Sequence, residues 1–335
     1  MKSIHVMLLL PCVVVLGFWL IARFDRMNAS TRRLTFFQRN GLGVGIYLIV
    51  AVGFWAVFVI VLPMIYMVEL SFRPKLPLSQ MGGPKDVYTL ENYRYFLFGS
   101  TTSTAEWNWL HIKAFGVTIL ASILITLANF AICYPLAYHM AQSAKPDRLR
   151  ILLLLLIIPY WVNDILRAFA FRVLLSSGGI INQMLMGLGF VSEPVDFLGA
   201  DIGLYMGLSY AYLLLMIFPL YNAIESLDKN QIEAARDLGA PWWHIHAFIV
   251  MPHAKPGIAS GCTLVFMLCT GAVATPMVLG GPRSLWFTPI VYDRFYQLFN
   301  WPQGAAYAFL LLLACIVFVL TVLRISGLKL GEITR

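Results

Sequence analysis

Seven long apolar stretches alternate with polar connectors along this chain. Each approaches or exceeds the roughly 20 residues that a helix needs to cross about 30 Å of hydrocarbon. The pattern therefore predicts seven membrane-spanning helices, at 5–22, 42–67, 114–140, 151–175, 203–221, 256–280 and 304–323. The connector at 176–202 is also expected to form a short helix, over 180–188.

The composition agrees with this pattern. Of the 335 residues, 60% are hydrophobic and only 12% are charged, and the mean hydropathy is +0.77. Soluble domains of this length do not have such a composition, so we predict an all-α polytopic membrane protein. The five cysteines lie in apolar stretches without CxxC spacing, which indicates apolar packing and not a disulfide or metal framework.

The distribution of basic residues predicts the topology. With seven alternating spans, one side of the membrane collects 14 Lys and Arg residues and the other collects 8. The positive-inside rule makes the richer side cytoplasmic, so the N-terminus lies outside and the C-terminus inside. The first stretch also has the length of a signal peptide, but five arginines and no small-residue cleavage site follow it, and we expect a retained helix.

A compact polar segment, DKNQIEAARDLGAPWWHIHAFIVMP, occupies residues 228–252 on the cytoplasmic side of this topology. Asp228 and Gln231 have the spacing of a capping box. Gly239 suits the left-handed residue that ends a helix, and Pro241 suits the first turn of the next. We therefore predict two short helices, the second of which is stopped by Pro252.

The apolar residues of this 228–252 loop are spaced so that each helix has one apolar face. The two faces consist of Ile232, Ala235 and Leu238, and of Trp242, Ile245 and Ile249. Two interpretations follow from the residues alone: a helical hairpin packed on its own bundle, or a surface that another protein approaches closely at the small Ala234 and Ala235.

The order of residues in the loop adds a resemblance. It reads EAA, three residues, G, nine residues and IVMP, which resembles the EAA loop of the membrane subunits of ATP-binding-cassette importers. Met251 stands where that pattern has Leu, a volume-conserving change. The stretches PYWVNDILRAFAFRVLL, PGIASG and LGGPRSLWFTPIV are similar to the spermidine/putrescine (PotB-type) branch of that family. The resemblance assigns coupling to the ATPase to Glu233, Ala234, Ala235, Gly239, Ile249 and Pro252.

The resemblance implies a type I importer (MetI-like) fold, with six core spans over 42–327, an extra N-terminal helix and basic connector at 1–41, and a cytoplasmic tail at 328–335. It also implies a bacterial inner-membrane location and import of a polyamine by alternating access. The implied partners are a cytoplasmic ATPase dimer, a second permease chain of different sequence, membrane lipid and a periplasmic solute-binding protein. That binding protein is expected to dock on 176–202 and 281–302.

Other classes are weighed against this expectation. The chain has no GxxxxGK[ST] motif, so it is not expected to hydrolyse ATP alone or to act as an enzyme, and no cofactor is implied. The net charge of +8 is weak evidence for nucleic acid, because membrane proteins concentrate basic residues in cytoplasmic loops. Two alternatives stay open. One is an importer of the same kind for an opine, an amino-acid derivative or a phosphonate, and the other is an ion-coupled secondary transporter.

Charged residues within the fourth span mark the candidate substrate path. A charge at mid-bilayer costs roughly 2.5–3.5 kcal/mol on insertion scales, so Asp164 and Arg167 should face protein or water. They are spaced to neutralise each other. Alternatively, Asp164 lines the path together with Tyr160 and Trp161, because a carboxylate beside aromatic faces suits an organic ammonium.

Three smaller features complete the sequence predictions. Arg172 is long enough to extend toward the outer interface. His244, His246 and His253 do not share a helix face, so we predict no metal site. Gly257 and Gly261 have the spacing that lets helices pack closely.

Overall fold

The computed structural model describes residues 42–77, 80, 83–100 and 106–327, and within these ranges the regular structure is helical. The predicted span at 5–22 and the tail at 328–335 lie outside the described residues. The helices are α1 (Leu42–Trp55), α2 (Leu62–Ser71), α3 (Glu91–Phe98), α4 (Trp109–Tyr138), α5 (Pro146–Ile157), α6 (Asp164–Leu175), α7 (Ile180–Gly187), α8 (Ile202–Glu225), α9 (Lys229–Asp237), α10 (Trp242–Ile245), α11 (Met251–His253), α12 (Lys255–Gly271), α13 (Ala274–Leu279), α14 (Phe287–Tyr296) and α15 (Trp301–Ser326).

The chain divides into two compact units, Met1–Leu70 and Ser71–Arg335. In the first unit, α1 and α2 are joined by a π-helical turn, Ala56–Val61. Pro63 lies two residues after the end of this turn, and a proline removes a backbone donor, so a wider helical turn ahead of it is expected. The helical run Gly45–Ser71 has 27 residues, and none of its most apolar 18-residue window is buried.

Among the residues that the structure describes, four helical runs are long and apolar enough to cross a membrane: Gly45–Ser71, Trp109–Ser143, Ile202–Glu225 and Trp301–Ser326. The runs Pro146–Trp161 and Asp164–Gly187, bent by 94° at the break between them, would make a fifth span. The predicted short helix at 180–188 is confirmed as α7, Ile180–Gly187.

Two predicted spans, 151–175 and 256–280, are broken in the structure. After α5 the chain tightens into a 3-10 turn at Ile158–Trp161, which contains Pro159. The side chain of Asn163 then accepts a hydrogen bond from the Ile165 amide, 2.9 Å, and starts a new helix. The predicted span at 151–175 is thus interrupted after Pro159, a residue whose presence in the sequence already indicates that the helix can break there.

The second break separates α12 from α13. In a continuous helix the carbonyl of Ala272 would accept a bond from residue 276, but Pro276 has no N–H. The hydroxyl of Thr288 donates to that carbonyl instead. A partner from α14 therefore satisfies the group that the proline leaves open.

The core of the second unit lies where α8 packs against α4 and α12. Asn129 Nδ2 donates to the Ser209 carbonyl, 3.0 Å, and links α4 to α8. A Cβ atom on Gly257 would lie 2.4 Å from the Pro219 carbonyl oxygen, and one on Gly261 would lie 2.9 Å from Met216 Sδ. The predicted close packing at these two glycines is therefore confirmed.

Candidate functional site

The 228–252 loop begins with α9, which Asp228 caps. Asp228 Oδ1 accepts from the Asn230 amide, 3.0 Å, while the Gln231 amide donates to the Asp228 backbone carbonyl, 3.1 Å. The helix start is where the sequence predicts it. The capping-box detail is wrong, because the side chain of Asp228 bonds one residue earlier than that motif requires.

Gly239 ends this helix in the left-handed conformation, with φ of 77°. The Gly239 amide donates to the Arg236 carbonyl, 2.8 Å, and the Ala240 amide donates to the Ala235 carbonyl, 3.0 Å. This pair of bonds is the Schellman motif, which satisfies carbonyls at the end of a helix. The four-residue spacing of Ala235 and Gly239 thus has a structural reason. Ala235 supplies an acceptor carbonyl of the Schellman motif, and Gly239 supplies its left-handed residue.

The second half of the loop differs from its prediction at both ends. Pro241 caps α10 from outside the helix. Beyond α10 the helix widens into a π turn, His246–Val250, and continues through Pro252 to His253. Pro252 does not stop the helix, because it lies in the first turn of α11, where a missing donor costs little.

Both predicted apolar faces are split between the core and the surface. Ile232, Ile245 and Val250 are buried in the main core, with Ala235 and Ile249 partly buried against it. Leu238 and Trp242 are instead 88% and 74% exposed. The loop therefore packs on its own bundle and also presents an exposed loop surface, which consists of Leu238, Trp242, Trp243 and Phe248.

Glu233, Ala234 and Pro252 also face outward. Of the six residues predicted to couple the chain to a partner, these three and Gly239 are exposed, and Ala235 and Ile249 are partly buried.

His246 attaches the loop to α4. Its Nδ1 lies 2.8 Å from the Tyr134 hydroxyl, and its ring lies 4.4 Å from the ring of Tyr138 and 5.6 Å from that of Trp242. Burial, and then the charge of Arg236, hold the pKa of His246 below its ordinary value. The sequence gives no signal for this contact, since 112 residues separate the two partners.

Two further contacts hold the ends of the loop. Gln142 Nε2 donates to the carbonyls of Ile224, 2.8 Å, and Leu227, 3.2 Å. His253 Nε2 lies 2.9 Å from the Ser226 hydroxyl. The C-terminal end of α4 and both ends of the loop are thus joined by hydrogen bonds.

The second candidate site lies at the break before α6. Arg167 Nη2 donates to Asp164 Oδ1, 3.1 Å. The Arg167 guanidinium lies 4.6 Å from the centre of the Tyr160 ring and 6.0 Å from that of Tyr210 on α8. The structure thus brings Tyr160, Asp164 and Arg167 together and adds Tyr210, for which no local pattern in the sequence gives a signal. Trp161 is instead 84% exposed.

The two charges of this pair differ in exposure. The side chain of Arg167 is 11% exposed and that of Asp164 is 41% exposed. Arg167 Nε and Nη1 are buried without a hydrogen-bond partner. The positive charge of the guanidinium is therefore stabilised by the Tyr160 ring and by the hydrogen bond to Asp164. The carboxylate is therefore the accessible member of the pair.

Arg172, the third charge of this helix, donates to the Val278 carbonyl and so links α6 to α13. A separate apolar groove of about 630 Å³ lies between α4 and α8, and Leu124, Ile125 and Tyr210 are among its lining side chains. Tyr160, Asp164 and Arg167 are not among them, so this groove lacks the charged groups that a polar substrate would require.

Sequence comparisons identify relatives along most of the chain. The model of the family "Binding-protein-dependent transport system inner membrane component" matches residues 57–325. The spermidine/putrescine transport system permease protein PotB of Haemophilus influenzae is 33% identical over 267 residues, which cover 79% of this chain and 88% of that protein. PotB of Escherichia coli (strain K12) is 31% identical over 282 residues, which cover 84% of this chain and 97% of that protein.

Solved structures share the fold. The crystal structure of a bacterial alginate ABC transporter, in complex with an alginate pentasaccharide-bound periplasmic protein, includes a chain that matches with a TM-score of 0.66 and 18% identity. The match covers 86% of this chain and 96% of that chain.

Proposed function

Because the chain belongs to the family of inner membrane components of binding-protein-dependent transport systems, we propose that it is the permease subunit of an ATP-binding-cassette importer for polyamines. It is a multi-pass inner-membrane protein of this transport family. The proposed substrate class rests on the similarity to PotB proteins, and this similarity extends over most of both chains.

The 228–252 loop is the proposed coupling element. The exposed loop surface supports docking of a cytoplasmic ATPase dimer, because large apolar side chains exposed together commonly mark an interface. Glu233, Ala234, Ala235, Gly239, Ile249 and Pro252 form the proposed coupling site. Closure of the ATPase dimer on ATP would displace this loop. The bond between His246 and Tyr134 of α4, and the bonds from Gln142 to the Ile224 and Leu227 carbonyls, would carry the displacement into the bundle.

The proposed substrate path includes Asp164. A cationic substrate would approach the exposed carboxylate, while Arg167 stays covered by the rings of Tyr160 and Tyr210. The ammonium groups of a polyamine can bond to the carboxylate oxygen that Arg167 leaves free. Trp161 is close to this pair in sequence and its side chain is exposed, so it is a further candidate for the path.

The proposed assembly follows from the family and from the topology. A solute-binding protein delivers substrate on the outer side, a second permease of different sequence completes the pathway, and the C-terminus lies in the cytoplasm. In this assembly the chain contributes the substrate path and the coupling loop, and the ATPase partner hydrolyses ATP. The chain itself is therefore proposed to be a transporter subunit and not an enzyme.

Reconstitution tests this proposal. The chain is expressed with its partner permease and ATPase, purified through a tag on this chain, and placed in proteoliposomes with the cognate binding protein. The ATPase should co-purify, and spermidine or putrescine uptake should require ATP. Uptake that is driven by an ion gradient without the ATPase would support a secondary transporter. If ATP drives uptake of an opine or 2-aminoethylphosphonate but of no polyamine, the assignment as an ATP-driven importer stands and the proposed substrate is wrong.

A further inference from the structure

A polar pocket of about 370 Å³ lies at the end of the bundle that is far from the 228–252 loop. Its walls include Lys75, Glu91, Tyr95, Arg294, Asn300 and Gln303. The position of the pocket follows from α4. His111, near the start of this helix, contacts Arg294, and Gln142, beyond its end, donates to the carbonyl of Leu227, the residue before the loop. At 1.5 Å per residue, the two ends are about 45 Å apart.

Arg294 is the central group of the pocket. Its Nη2 lies 3.3 Å from His111 Nε2, and its guanidinium lies 5.5 Å from the centre of the Tyr95 ring and 5.8 Å from that of Tyr307. Within the described ranges of the chain, no carboxylate forms an ion pair with Arg294. The guanidinium is thus held by rings and an imidazole, and its charge has no counter-ion from this part of the chain.

The pocket carries a net positive charge and is rigidly built. Lys75 and Arg294 supply two cations, and Glu91 supplies one anion. Lys75 Nζ donates to the Leu298 carbonyl, 2.9 Å, which closes the rim. Asn300 Nδ2 donates to Oε1 of the buried Gln303, 3.0 Å, which fixes the floor. A planar guanidinium in such a site matches a carboxylate, which it binds through two parallel hydrogen bonds.

We propose that this pocket receives a carboxylate side chain of the solute-binding protein, which pairs with Arg294 when the two proteins dock. The inference rests on the proposed function, because that function supplies a partner on the side opposite the loop. A polyamine does not suit the pocket, since a cation would be repelled by its net charge. A volume of about 370 Å³ accommodates one acidic side chain with water but not a folded segment.

The test is a titration of purified binding protein against the complete importer in vesicles of phosphatidylcholine, with ATP hydrolysis as the readout. We expect Arg294→Gln to raise the half-saturating concentration of binding protein about tenfold, with the maximal rate unchanged, because a desolvated charge pair is lost. Glu91→Gln should lower that concentration about threefold, because it removes the acidic group that repels an incoming carboxylate. Arg294→Lys should give a smaller rise than Arg294→Gln.

Arg94→Gln is the matched control. Arg94 is exposed on α3, outside the pocket lining and outside the two stretches, 176–202 and 281–302, on which the binding protein is expected to dock, and its substitution removes the same charge from the same side. It should leave the half-saturating concentration within about twofold of the parent value. If Arg294→Gln does not assemble, Lys75→Gln at the exposed rim replaces it, with an expected rise of about threefold.

The outcomes separate the two proposals. If the parent importer is not stimulated by any binding protein, the proposed function fails. If the parent is stimulated but Arg294→Gln and Arg94→Gln behave alike, only the pocket inference fails. A shift that appears in vesicles with anionic lipid but not in phosphatidylcholine would also overturn it, since the pocket would then hold a lipid phosphate.

Discussion

Substitution of Gly239 by valine should uncouple ATP hydrolysis from transport. The residue has φ of 77°, and an added Cβ would meet nothing within 4 Å. The cost is therefore conformational: an L-residue in the left-handed region loses about 1–2 kcal/mol, and a β-branched residue is a marked outlier there. A cost of about 1.4 kcal/mol changes the population of the native turn about tenfold.

The structure limits what else can change. The two bonds of the turn, from Gly239 to Arg236 and from Ala240 to Ala235, are each worth about 1 kcal/mol. The strain is thus comparable to the stability of the turn, and we expect the connection between α9 and α10 to rearrange while Ile232 and Ile245 stay buried. Membrane insertion and assembly should survive.

The assay is the number of ATP molecules hydrolysed per substrate molecule imported, in proteoliposomes with saturating binding protein. Gly189→Val is the matched control, because Gly189 has φ of 74° and open space around its Cβ. It also ends a helix, α7, with equivalent bonds from Gly189 to Met186 and from Phe190 to Leu185. The control should lose similar thermal stability but keep the parent ratio. A parent ratio in Gly239→Val, or an equal loss in both variants, would refute the reasoning.

Three further predictions concern the path, the loop attachment and the topology. Asp164→Asn should lower polyamine uptake about tenfold at normal expression; recovery of uptake on adding Arg167→Gln would show that the pair is only structural. Tyr134→Phe removes the hydroxyl bonded to His246 and should lower the free energy of unfolding by about 1 kcal/mol while raising ATP use per substrate, measured as above; an unchanged ratio would exclude this contact from coupling. A single cysteine in the 228–252 loop should resist an impermeant thiol reagent on intact cells, whereas one between α13 and α14 should react; the reverse pattern would invert the topology.

The features that local sequence encodes were predictable. Hydrophobic runs give the positions of α4, α8 and α15, because a helix that crosses a membrane must be apolar over its whole length. The turn at Gly239 was equally predictable, since a left-handed helix end favours glycine regardless of the distant fold.

The features that depend on distant partners were not predictable. The break at Ala272 is stabilised by Thr288, and a proline alone does not reveal which group will donate a hydrogen bond to the freed carbonyl. The exposure of Trp242 is another such feature. Its spacing relative to Ile245 suggests a shared buried face, but only Ile245 is buried in the core that the distant helices form. The surroundings of Arg294 likewise depend on distant residues, because His111 lies 183 residues earlier in the chain and Tyr95 earlier still.

The contact at Gly257 has a mechanical consequence for the whole molecule. The 228–252 loop joins the end of α8 to the start of α12, and at that same end Gly257 lies against the Pro219 carbonyl and the Ala223 side chain. Backbones in such close contact cannot slide past each other without a clash. The two helices therefore form one rigid unit about 36 Å long, which is the length of the 24-residue α8. The 228–252 loop lies at one end of this unit. A force on the loop should therefore move α8 and α12 together, and not one helix past the other.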